Sequence, residues 1–106
     1  MSYNRKTKQS GTTIRTETEI KRICKALEDT LLRKNADYGN SSQRAPILIP
    51  RLSAQDALKV RLSDKIARFI QLEQSGAARV NESLDDTLLD IAGYCVLLLI
   101  ARKEKS

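Results

Sequence analysis

The sequence predicts an all-α fold, a small bundle of three main helices interrupted by one irregular, proline-containing crossing. Three observations support this. Apolar residues recur at three- and four-residue steps in three separate stretches. Capping patterns stand at the head of these stretches. The only strand-like run, Ile47-Leu48-Ile49, has no partner strand elsewhere in the chain. The chain has 106 residues, which makes one small domain near the size at which oligomerisation commonly adds stability. Residues 1–15 are expected to be a flexible basic tail and residues 16–106 the helical domain.

The tail is polar, has no apolar period and holds Arg5, Lys6, Lys8 and Arg15 without an acid. Thr16-Glu-Thr-Glu19 is a capping box, and Ile20, Ile23, Cys24, Leu27 and Leu31 follow at helical spacing. That helix should run to about Lys34, where Asn35, Gly39 and Asn40 supply residues that tolerate positive φ. Residues 43–52 contain Pro46 and Pro50 around Ile47-Leu48-Ile49, which reads as an extended segment pinned over a core. Ser53-Ala-Gln-Asp56 caps a second helix with the stripe Leu58, Leu62, Ile66, Phe69 and Ile70, stopped at Gly76. A third helix, capped at Asn81 or Ser83, continues to about Lys103.

Composition narrows the function classes. Apolar residues at 41% and charged residues at 30% are ordinary for a soluble globular protein. No stretch approaches the roughly 20 apolar residues of a membrane span, and no apolar segment follows the basic N-terminus as in a secretory signal. A cytoplasmic location is therefore expected. Cys24 and Cys95 each sit inside a helical pattern and read as buried free thiols in a reducing compartment. The absence of histidine removes His-based metal sites and Ser-His or Cys-His catalysis. The net charge of +6 resides mostly in the two ends. The body between them is nearly balanced, so nucleic acid is at most a weak partner of the tail.

Three clusters carry candidate chemistry. Glu82, Asp85, Asp86 and Asp90 fall within nine positions, and Glu82, Asp86 and Asp90 share one helix face. Like charges in that row need cations to offset them. Asp86 and Asp90 are therefore candidate ligands for Mg²⁺, or else partners for the basic residues of the second helix. For Glu82, Asp85 and Asp86 the helix dipole offers a purely structural alternative. Arg61, Asp64, Lys65 and Arg68 form a polar stripe in which Arg61, Lys65 and Arg68 either pair with those acids or clamp phosphate. Lys34, Asp37, Tyr38 and Gly39 bring a cation, a carboxylate, an aromatic face and a flexible glycine into one helix-ending loop. That loop fits the edge of a base-stacking site, and equally a turn anchored by its tyrosine. Gly93 in mid-helix costs about 1 kcal/mol against Ala, which implies a close approach by another helix or by a ligand.

The third helix is apolar on nearly every side from Ile91 to Ala101. Such a helix must be covered on several faces, and two other helices do not suffice. A homo-oligomer packed through the third helix is expected.

Three blocks in this order, Lys34-Asn35-x-Asp37-Tyr38-Gly39, Arg61-x-x-Asp64-Lys65-x-x-Arg68, and Glu82-Ser83-Leu84-x-Asp86-Thr87-Leu88-x-Asp90-Ile91-Ala92-Gly93-Tyr94, resemble a phage-borne family. It is the nucleotide-modification-associated domain of the first type, long catalogued as a domain of unknown function. The resemblance spans roughly residues 20–100 and implies phage origin, hence the host cytoplasm, and nucleotide ligands. More distantly, the helix bearing Asp86 and Asp90 looks like the acidic helix of the all-α nucleoside triphosphate pyrophosphatases of the MazG and dimeric dUTPase kind. Those enzymes hold Mg²⁺ between an E-x-x-E helix and an E-x-x-D helix. Here the first helix offers only the adjacent Glu28 and Asp29, so one acidic pair is missing.

The resulting expectation is a phage-type protein that binds a nucleotide or nucleotide-derived signal, sequestering it to counter host defence. Lys34, Asp37, Tyr38, Arg61, Lys65 and Arg68 would form the ligand and phosphate site. The alternatives are a Mg²⁺-dependent pyrophosphatase-like enzyme using Asp86 and Asp90, and a helical protein that docks on a host protein. The missing acidic pair favours binding over turnover.

Overall fold

The structure is a computed structural model that describes residues 11–76 and 80–105, with side chains described for 14–76 and 83–103. It comprises α1 (Gly11–Tyr38), a short 3-10 turn (Ser41–Gln43), α2 (Ala54–Ser75) and α3 (Val80–Lys105), and no strand occurs among the described residues. The expected tail residues 1–10, the loop residues 77–79 and the side chains of Asn81 and Glu82 lie outside the described set.

The first helix is longer than its sequence signals suggest. It begins at Gly11, so Thr16 lies inside the helix and cannot be its N-cap. Glu19 reaches forward to Arg22, whose Nη2 donates to Glu19 Oε1 at 2.7 Å, instead of back to the helix start. That hydrogen bond holds the Glu19 carboxyl below its ordinary range. At the other end α1 runs through Lys34 and Asn35 to Tyr38. It stops where Gly39 and Asn40 take left-handed φ values of 59° and 66°, and the Asn40 amide closes the end on the Asn35 carbonyl.

The second helix follows its sequence signals closely. Ser53 is the N-cap, its hydroxyl accepting from the Asp56 amide at 3.0 Å, and Gly76 ends the helix at φ 67°. A short connection then returns the chain along α2 as α3, which starts at Val80, one residue before the earlier of the two expected caps. The α2–α3 hairpin contains the buried core, namely Ala57, Leu58, Thr87 and Ala101.

The structure corrects the expected role of the crossing. Residues 44–52 do not lie extended over a core. They form consecutive turns, closed by Ile49 N–H to Pro46 O and Leu52 N–H to Ile49 O. Ile47 and Leu48 are 94% and 92% exposed. Two prolines that cannot donate, with turn hydrogen bonds between them, leave no ladder that would hold the segment flat. Cys24 and Cys95 are free as expected but exposed, not buried, because the helix faces that carry them have no cover in a single chain.

α1 closes the bundle only lightly. It approaches α3 at Gly93, where a Cβ would stand 3.3 Å from Leu31 Cδ2 and 3.8 Å from Leu27 Cδ1. The close approach inferred from Gly93 is thus a helix crossing. The radius of gyration is 17.3 Å, against about 13 Å for a compact chain of this length. α1 and α2 flank α3 without packing on each other, and the space between them is a cleft.

Candidate functional site

The cleft has a volume of about 490 Å³, within the roughly 300–1,000 Å³ of small-molecule sites. Each helix contributes a pair of residues four positions apart, a spacing that aims both side chains the same way. α1 supplies Lys34 and Tyr38, α2 supplies Arg61 and Lys65, and the floor formed by α3 supplies Asp86 and Asp90. Leu27, Leu31, Leu89 and Leu97 give it apolar walls. Six of the eight residues singled out from sequence therefore line one cavity.

Asp37 and Arg68 do not line it. Asp37 is one residue, about 100° of helix, away from Tyr38, and Arg68 is three residues beyond Lys65. Both are exposed. Residues missed in the sequence reading, Thr30 and Tyr94, also line the cleft. Extending the four-residue rows would have found them, because Thr30-Lys34-Tyr38 and Asp86-Asp90-Tyr94 are each one continuous row.

The electrostatics separate the two alternatives for the acidic row. Lys65 Nζ lies 2.9 Å from Asp90 Oδ2, and the two side chains are 33% and 35% exposed. Asp90 is thus held by the second helix as an ion-pair partner. Among the described residues no group of three or more acids or cysteines is placed to share a metal ion. α1 brings no carboxylate to the cavity: Glu28 and Asp29 instead pair with Lys25 at 3.6 and 3.1 Å. Among the described residues the donor set for Mg²⁺ is then Asp86 and an Asp90 already engaged by Lys65. That is a poor fit to a cation whose protein ligands must be free carboxylates. Lys34 and Arg61 have no acidic partner among the described residues.

The rim at the end of α1 is fixed by the turn that follows it. Arg44 Nη2 donates to the Gly39 carbonyl at 2.8 Å, and Gln43 Nε2 donates to the Leu97 carbonyl at 3.2 Å. These bonds set Ser41 and Ser42 at the cavity edge.

The family model described as nucleotide modification associated domain 1 matches residues 34–101. The match starts at Lys34, so it takes in all eight candidate residues and leaves out most of α1. No curated protein and no solved structure matches the chain. With most of its length matched, this chain belongs to the nucleotide modification associated domain 1 family.

Proposed function

We propose that the cleft binds a nucleotide or nucleotide-derived small molecule by its phosphates, and that it holds this ligand without turning it over. The observation that carries this reading is that Lys34 and Arg61, neither paired with an acid, line the same cavity from opposite helices. Two unpaired cations across an apolar-walled cleft suit an anion with an apolar or aromatic body. Arg61 offers the bidentate fork that phosphate oxygens accept, and Lys34 a point charge. Tyr38, 68% exposed at the rim, presents a ring face for a base. Asp86 balances the charge near the floor.

The preference for holding over hydrolysis rests on the donor set, since one of the two acids that line the cleft among the described residues is engaged by Lys65. In a phage-encoded protein, such binding would sequester a nucleotide signal of host defence. The Mg²⁺-dependent reading is kept by one observation, that Asp86 and Asp90 line the cleft in one row.

The test is a thermal-unfolding screen against nucleoside mono-, di- and triphosphates, cyclic dinucleotides and ADP-ribose derivatives, with and without Mg²⁺. A ligand at a hundred times its Kd should add about 2.7 kcal/mol of stability. That gain should fall at least tenfold in affinity in Arg61→Ala and in Lys34→Ala. If none of these compounds shifts the transition, the reading fails. Turnover of a triphosphate that disappears in Asp86→Asn would replace it with the enzyme.

A further inference from the structure

We infer that a second copy of this chain packs on the back of α3, along Leu88, Ala92, Cys95 and Leu99, to form a homodimer. Going round α3 at 100° per residue divides it into three sectors. One sector, with Thr87 and Ala101 buried, faces α2. A second, at Gly93, meets α1. The third lies opposite the cleft and contains Leu88, Ala92, Cys95 and Leu99, spaced at four, three and four residues, which is the seam pattern of paired helices.

No element among the described residues covers that seam beyond leaving Ala92 half-buried. Leu88 is 47% and Leu99 67% exposed, and Cys95 is exposed as well. Between Ile91 and Ala101 α3 has no ionisable side chain other than Tyr94 and Cys95. Over that span the face therefore meets its own image without like-charge repulsion, as a twofold interface requires. Ala92 and Cys95 at its centre are small enough to let two helices approach closely.

The surface area also calls for a second copy. The chain exposes 8666 Å², against roughly 5,900 Å² for a compact monomer of its mass. Leu58 is the one large side chain among the described residues that is fully buried, which is a slender core for a monomer.

The seam is on the far side of α3 from the cleft, so the inference stands or falls independently of nucleotide binding. Sedimentation velocity of the full chain over a concentration series, with no nucleotide present, should give twice 11.9 kDa. A short bis-maleimide should link two chains in Cys24→Ser, through Cys95 and the partner's Cys95, and should not link them in Cys95→Ser. Leu99→Asp should weaken association at least tenfold. If that variant fails to fold, the thiol linking decides alone. A larger assembly that still links through Cys95 supports the seam. A monomer at every concentration overturns the inference, as does linking through Cys24 alone or through neither thiol.

Discussion

Replacing Asp90 by Asn separates the ion-pair reading of the cleft from the metal reading, because the two expect opposite signs. Lys65 and Asp90 stand 2.9 Å apart with about a third of each side chain exposed. At an effective dielectric of about 20 the gross attraction at that distance is about 6 kcal/mol. Desolvation and screening at this exposure reduce the net coupling to about 1 kcal/mol. A double-mutant cycle of Lys65→Met and Asp90→Asn, read by urea unfolding at one fixed protein concentration, should return that value. The cleft side chains Lys34, Arg61 and Lys65 against Asp86 and Asp90 give a net charge of +1, and Asp90→Asn raises it to +2. It also releases Lys65 to meet a phosphate, a charge-assisted bond of about 1.5–3 kcal/mol. The variant should therefore lose about 1 kcal/mol of stability yet bind a triphosphate about tenfold more tightly at low salt, by titration calorimetry. Weaker binding in Asp90→Asn, with the loss confined to Mg²⁺-containing buffer, would refute the ion-pair account and restore the acidic row as a metal site.

Four other outcomes follow from the packing. Gly93→Ala gains about 1 kcal/mol of helix propensity and gives back part of it at the 3.3 Å approach to the flexible end of Leu31. Unfolding should thus show a net stabilisation of a few tenths of a kcal/mol, and a loss above 1 kcal/mol would mean that backbone, not Leu31, limits the crossing. Ser53→Ala removes the hydroxyl that accepts from the Asp56 amide and should cost about 1 kcal/mol. Ile47→Ser and Leu48→Ser, at nearly fully exposed positions, should each change stability by less than about 0.5 kcal/mol; a larger loss would mean that the segment is covered in the assembled protein. Glu19 titrates below its ordinary value of 4.5 because Arg22 hydrogen-bonds its carboxylate. Its support of α1 is present above the unfolded value and lost as pH falls through the lowered one, so Glu19→Gln should flatten the acid limb of the helicity profile.

Local chemistry accounts for what the sequence determined by itself. The all-α class, the Ser53 cap, the Gly76 stop and the left-handed Gly39 and Asn40 each depend on a few adjacent residues, whose preferences act within one turn. The candidate residues were legible for a related reason, since four-residue rows keep their common face wherever the helix is placed. What only the tertiary structure decided is how the three helices stand to one another. The start of α1 was misread because the helix continues upstream of the capping box to Gly11, through Gly11, Thr12 and Thr13, whose weak helix propensity gives no local sign of it. The apolar trio at Ile47 was misread because hydrophobicity does not say whether a surface is available to receive it. Above all, no row of acids reveals whether a lysine will arrive beside it. Asp86 and Asp90 read equally as metal ligands or as ion-pair partners until α2 places Lys65 against Asp90, a contact between residues twenty-five positions apart that depends on the hairpin's register.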